Sequence, residues 1–139
     1  MQAARIMPDL QCSLVCEQVR QEANGNFIII GVVNYLRVPG VPITAMNLCV
    51  FNRWTAGVGQ FNQLIRLLAP DQVTVLAKNE MKFELQDPSA SWTCVAGLGQ
   101  IEFKEAGVCY YVEVLVDDIT KIKYPVPVLL APQQNQPQA

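Results

Sequence analysis

Apolar and polar residues alternate with a period of two along most of the chain, and turn residues interrupt the alternation at short intervals. From Asp9 to Glu17, Leu10, Cys12, Leu14 and Cys16 fall on one side, and Gln11, Ser13, Val15 and Glu17 on the other. Val19 to Glu22 prolongs this strand. Residues 13–22 also score as a short helix, but the Asn24-Gly25 pair that follows is a hairpin signal, since both residues tolerate positive φ. The partner strand, Phe27 to Tyr35, is apolar without interruption, which predicts burial on both faces or a central place in a sheet. Gly31 within it marks a bulge or a close approach by another segment.

Val38-Pro39-Gly40-Val41-Pro42 loses two ladder donors to proline and reads as a crossing between sheets. Ile43 to Asn47 leads into a strand from Leu48 to Trp54. Thr55-Ala56-Gly57-Val58-Gly59 reads as a mobile loop. From Gln60 to Leu68, Phe61, Gln63, Ile65 and Leu67 alternate with Asn62, Leu64, Arg66 and Leu68. After a turn at Ala69-Pro70-Asp71, two short strands, Val73 to Ala77 and Met81 to Leu85, flank Lys78-Asn79-Glu80. Met81, Phe83 and Leu85 are expected to face inward.

Asp87-Pro88-Ser89 is a further turn. Trp92 to Phe103 is a strand that Gly97 and Gly99 bulge or kink. Ala106-Gly107 gives a tight entry to a long β-branched and aromatic strand, Tyr110 to Val116, which Asp117-Asp118 stops. Ile119 to Tyr124 follows, and Pro125 and Pro127 suit an edge or an exit. Short strands joined by turns predict an all-β chain, an antiparallel β-sandwich of the Ig-like or jelly-roll-like kind with eight or nine strands. With no internal repeat or linker, it reads as one domain over residues 10–130. Residues 1–9 form a loose lead-in and 131–139 a Gln/Pro-rich tail too polar to pack a core.

Composition adds one point. Of 139 residues, 51% are apolar and only 16% charged, against about 25% in an average domain. A surface this poor in charge exposes apolar or neutral polar area, which a second chain can cover; abundant Gln and Asn offer another way to fill it. The net charge of −2, with no run of like charges, lacks the footprint that phosphates require, so neither nucleic acid nor an anionic membrane surface is an expected partner. The apolar runs fall far short of a membrane-spanning helix. The first eight residues lack the apolar stretch of a secretory signal, which points to the cytoplasm.

The chain contains no histidine. This removes Ser-His-Asp and Cys-His catalysis and every histidine-ligated metal site. Cys12 and Cys16 would lie on one strand face about 13 Å apart, too far to share an ion. The five cysteines, Cys12, Cys16, Cys49, Cys94 and Cys109, read as small buried hydrophobes, with a disulfide between two of them as the alternative. Asp87, Asp117 and Asp118 sit where turns need them, and no spaced acidic signature for calcium is present. The glycines at 57 and 59 have no lysine after them to make a phosphate loop. No catalytic, cofactor-binding or metal site is expected. The residues around this loop, Arg53, Trp54 and Phe61, are a candidate contact patch, since Trp and Arg favour binding hot spots. Burial of at least one of Trp54 and Trp92 between the sheets is the competing reading.

The run Cys16-Glu17-Gln18-Val19-Arg20, then Asn24-Gly25, then an apolar strand ending Ile30-Gly31-Val32, resembles the opening of an uncharacterised family of small bacterial proteins. Residues 107–117 and Tyr124-Pro125-Val126-Pro127 are similar to its later part. The resemblance implies a single-domain β-sandwich and no transferable functional residue. The functional expectation is therefore a non-enzymatic protein without cofactors that works through contacts with itself or another protein, as a homo-oligomer or assembly subunit. The alternative is a small-ligand or carbohydrate-binding module that stacks its ligand on Trp54, Tyr35 and Tyr110.

Overall fold

Eleven strands form two packed sheets and a short two-stranded ribbon in the computed structural model, which describes residues 5–45 and 48–132. The first sheet has the order β2 (Phe27–Val32), β1 (Asp9–Gln21), β5 (Leu48–Thr55), β8 (Ser91–Leu98). The second runs β3 (Leu36–Val38), β11 (Ile119–Leu130), β10 (Val108–Val116), β6 (Gly59–Leu68), β7 (Val75–Leu85). The ribbon pairs β4 (Ile43–Ala45) with β9 (Ile101–Phe103). Every pairing is antiparallel except that of β3 with β11. The chain is a β-sandwich, with more strands than the eight or nine expected, because short pieces such as β3, β4 and β9 form separately. Residues 13–22 lie in β1 and its turn, not in a helix. Most of the Gln/Pro-rich tail, residues 133–139, lies outside the described residues, as do residues 1–4 of the lead-in.

The core lies between the inner faces of the two sheets. Val15, Val50, Trp54, Cys94, Ala96 and Leu98 come from the first sheet; Phe61, Ile65, Leu67, Phe83, Tyr110, Val112, Val114 and Val126 come from the second. At one end the rings of Trp54, Phe61 and Trp92 gather on Phe83, with centroids 5.6, 5.5 and 4.4 Å away, and Trp92 lies parallel to it. Such aromatic pairs add about 0.5–1.5 kcal/mol each beyond the area they bury.

A polar cluster sits within this apolar layer. Gln63, on β6, is fully buried. Its Oε1 accepts hydrogen bonds from Trp54 Nε1 (2.7 Å) and Asn52 Nδ2 (3.0 Å), both on β5. Its Nε2 donates to Cys94 Sγ on β8 at 3.3 Å. One amide thus ties a strand of the second sheet to two strands of the first. A second link joins β1 to β11, where the Ser13 and Tyr124 hydroxyls lie 3.0 Å apart.

Several expectations change once pairing is known. The face assignment in β1 breaks at Gln11, where a bulge shifts the register from Leu10 opposite Trp54 to Cys12 opposite Arg53. Leu10 and Val15 therefore pack inward, while Cys12, Leu14 and Cys16 belong to the outer face. Lys78, Asn79 and Glu80 do not separate two strands. They continue β7, paired with Arg66, Ile65 and Leu64; Lys78 and Glu80 stay exposed at the sheet edge, while Asn79 turns inward toward Gly97 with its Oδ1 buried. Met81 shares the face of Phe83 but lies at its rim, 38% exposed.

Residues 55–59 form a packed arch between sheets, not a mobile loop. Val58 exchanges backbone hydrogen bonds with Ile6, and a Cβ on Gly57 would lie 2.7 Å from Pro8 Cβ. The expected Trp92–Phe103 strand breaks into β8 and β9, with Gly99 and Gln100 between them. β11 runs straight through Pro125 and Pro127. The Val128 carbonyl accepts from Gly107 N of the strand entry, so Val128 turns toward β10 and Pro127 turns away. On that side β3 pairs only with residues 128–130, so neither proline interrupts a ladder.

Replacing Gln63 with Leu should destabilise the fold by about 2–4 kcal/mol, since it orphans the buried Trp54 N–H and Asn52 amide. Urea unfolding of the two chains measures this; an unchanged midpoint would show that the cluster contributes nothing.

Candidate interaction surface

Strand β1 changes partner along its length. Asp9 to Cys16 pair with β5, and Cys16 to Gln21 pair with β2. Beyond Cys16 the β1–β2 ribbon leaves the plane of the sheet. Phe27 pairs with Gln21, and Phe51 with Leu14, seven residues earlier on β1. An extended strand covers about 23 Å in seven residues, yet the two rings meet edge to face at 6.1 Å. The ribbon must curl back over the outer face of the first sheet. Gly31 permits the bend: its φ is +69°, and a Cβ there would lie 2.5 Å from Glu17 Oε2.

The curl leaves β2 at a free edge. Phe27, Ile28, Ile30 and Val32 are 38, 41, 37 and 56% exposed, and Phe27–Val32 carries no charge. The expectation of a central strand buried on both faces fails here, because β1 is the only neighbour β2 has among the described residues. The other edges differ. β7 carries Lys78, Glu80, Lys82 and Glu84. β3 has three residues, one of them Arg37. β8 packs beside β7, and Asn79 Nδ2 donates to Gly97 O between them at 3.4 Å. Charge and short length are the usual protections of an edge, and β2 has neither charge nor cover.

Between ribbon and sheet lies an open cleft of about 750 Å³. The turn Gly25-Asn26 and Phe27 form one wall, and Phe51, Arg53 and Thr93 lie across from it. Arg53 donates to Gln11 Oε1 and, at 3.1 Å, to Ser91 Oγ. Of the expected contact patch, Arg53 alone reaches this surface. Trp54 is 0% and Phe61 3% exposed, so neither can meet a partner. Strict alternation explains it: with Arg53 pointing out, Trp54 points in, where Gln63 satisfies its N–H. Phe61 also faces the core, with the Arg5 guanidinium 4.7 Å from its ring centroid. Of the rings expected to stack on a ligand, Tyr110 is buried edge-on against Phe103, and its hydroxyl bonds the backbone of Glu105. Tyr35 is exposed, with Arg37 over its face at 5.0 Å.

The carboxylates are engaged in turns and pairs. Asp71 accepts from Thr74 and from the Val73 and Thr74 N–H groups, and these bonds hold its carboxyl below the usual carboxylate range. Ser89 does the same to Asp87. Asp117 and Asp118 take positive φ in the β10–β11 turn, and Asp117 also bonds Asn62 N and Arg5. Glu113 is buried and paired with Arg66. Among the described residues no three Cys, Asp or Glu gather as metal ligands would, and all five cysteines are free. Cys16 and Cys49 stand directly opposite each other on β1 and β5. Burial, then the charge and the thiol hydrogen bond of Cys49, push Cys16 up to about 12. Burial likewise pushes Tyr124 up to about 12, against a smaller lowering by Ser13.

The exposed β2 edge was the feature sequence reasoning missed. A continuous apolar run predicts burial; the absence of charge within it is the usable signal. The chain belongs to a family of unknown function (DUF6941), whose model matches residues 11–129, from β1 to β11. No curated protein matches the chain. No helix among the described residues is long and apolar enough to cross a membrane.

The two raised values fix a sign for alkaline stability. Each group is neutral when folded up to about pH 12, whereas its ordinary value is 9.0 for Cys16 and 10.0 for Tyr124. Their contribution is complete below about pH 9 and is lost as pH rises toward 12. The urea midpoint should fall over that window, and fall less steeply in a Tyr124→Phe chain. Identical pH profiles would contradict a role for Tyr124.

Proposed function

We propose that the chain is a non-enzymatic, cytoplasmic β-sandwich of bacterial type that acts through protein contacts and associates with a second copy of itself along β2. The observation that carries this reading is the exposed, uncharged, unpaired edge Phe27–Val32. Six such residues form the kind of segment that aggregates when left open, so a stable protein covers it. A second copy suits it. Two β2 strands pairing antiparallel about a two-fold axis are self-complementary, and they would extend the four-stranded sheet across both copies. No like charges would meet in that pairing, and a net charge of −2 repels a second copy only weakly. The free cysteines suit a reducing compartment.

A small-ligand or carbohydrate module is the second reading, and the Arg53 cleft is the observation in its favour. It is weaker, because Trp54 and Tyr110 are unavailable for stacking.

Solution mass across a concentration series tests the first reading. The unaltered chain should form a dimer. Ile28→Lys and Ile30→Lys together should give a monomer whose circular dichroism still shows a folded β protein. Ile119→Lys, at an exposed site on β11, should leave the dimer intact. A monomer at all concentrations in the unaltered chain would overturn the proposal.

A further inference from the structure

We infer that Cys16 and Cys49 form a thiol–disulfide site, a cross-strand pair that closes on reaction with a small-molecule disulfide such as oxidised glutathione. The two residues are register partners on adjacent antiparallel strands, so their side chains leave the sheet on the same face. Residues directly opposed in this way have Cα atoms about 4.5–5.5 Å apart. Bridged cysteines span about 4.4–6.8 Å. None of the other three cysteines has a cysteine as register partner. Cys12 lies opposite Arg53, Cys94 opposite Asn52, and Cys109 opposite Pro127.

Reagent can reach the pair. Cys49 is partly exposed. Cys16, though buried, borders an open cleft of about 530 Å³ shared with Glu17, Tyr35 and Arg37. The location gives the bond a consequence. Cys16 is the residue at which β1 passes from pairing with β5 to pairing with β2. A covalent link to Cys49 would fasten the root of the curled ribbon to the sheet beneath it.

The reaction is an ordinary two-step exchange. The Cys49 thiol loses its proton to solvent, and the thiolate attacks one sulfur of the reagent. A mixed disulfide forms and one reagent thiolate departs. Cys16 then loses its proton, attacks Cys49 Sγ and expels the second reagent thiolate. In sum the protein dithiol is oxidised by two electrons, and one disulfide reagent is reduced to two thiols. The second step is the slow one. Burial is the largest cause that keeps Cys16 protonated, and it persists when Cys49 is capped. Closure therefore accelerates from pH 7 to pH 9.

The full chain treated with oxidised glutathione under native conditions is the test, followed by intact mass and by peptide mapping without reduction. The expected product joins the Cys16 peptide to the Cys49 peptide with the loss of two hydrogens and carries no glutathione on either residue. A chain with Cys12, Cys94 and Cys109 all changed to Ser should behave alike, as should one with only the surface-accessible Cys12 and Cys109 changed. With Cys12 and Cys109 also changed to Ser, the Cys16→Ser chain should stop with one glutathione on Cys49. Failure of the folded, unaltered chain to react would overturn the inference. So would a glutathione adduct on Cys49 that persists at pH 9, or a bridge mapped to another pair. None of these readouts depends on oligomeric state, so the inference stands or falls apart from the β2 contact.

Discussion

The side-chain amide of Gln63 is the constraint on which the arrangement of the sandwich rests. Apolar packing between two sheets is tolerant of small slides, because any methyl group fills space about as well as its neighbour. A buried amide is not tolerant. Gln63 must meet the indole N–H of Trp54, the amide of Asn52 and the sulfur of Cys94 together, and one placement of β6 over β5 and β8 allows that. With this placement fixed, the parity of β5 is fixed as well. Trp54 and Asn52 point in, so Arg53 and Phe51 point out.

The outer face then follows. Phe51 lies between Leu14 on β1 and Val95 on β8, an apolar row on the side of the sheet away from the core. The β1–β2 ribbon curls over that row and sets Phe27 against Phe51. The curl buries one aromatic contact and leaves the rest of β2 open. The bend begins at Cys16 and Glu17 opposite Gly31 and Val32, so the thiol pair, the left-handed glycine and the free edge are parts of one local geometry. The interaction surface and the redox chemistry proposed for this chain therefore share a hinge, although each rests on its own observation.

Much of the fold was legible in the sequence because it is written in short-range signals. The hairpin at Asn24-Gly25, the stop at Asp117-Asp118 and the alternation of Phe61, Gln63, Ile65 and Leu67 need only local chemistry, and the structure has all three. What failed depends on partners. The bulge at Gln11 reverses the faces of β1 and cannot be seen until β5 lies beside it. Lys78 to Glu80 look like a break until β6 pairs with them. Trp54 looks like a surface hot spot until Gln63 is found beneath it. The apolar run Phe27 to Val32 was the most misleading, since its composition matches that of a buried central strand, and its place at an exposed edge shows only once β1 is seen to be its one neighbour among the described residues.

Amide hydrogen exchange along β2, measured on the full chain at low and high protein concentration, tests the central claim most directly. In a single copy the outward-facing amides of Phe27–Val32 have no partner strand and exchange freely. The account predicts that these amides become strongly protected as concentration rises, while β7, the charged edge of the other sheet, stays unchanged. Fast exchange along β2 at every concentration would contradict it.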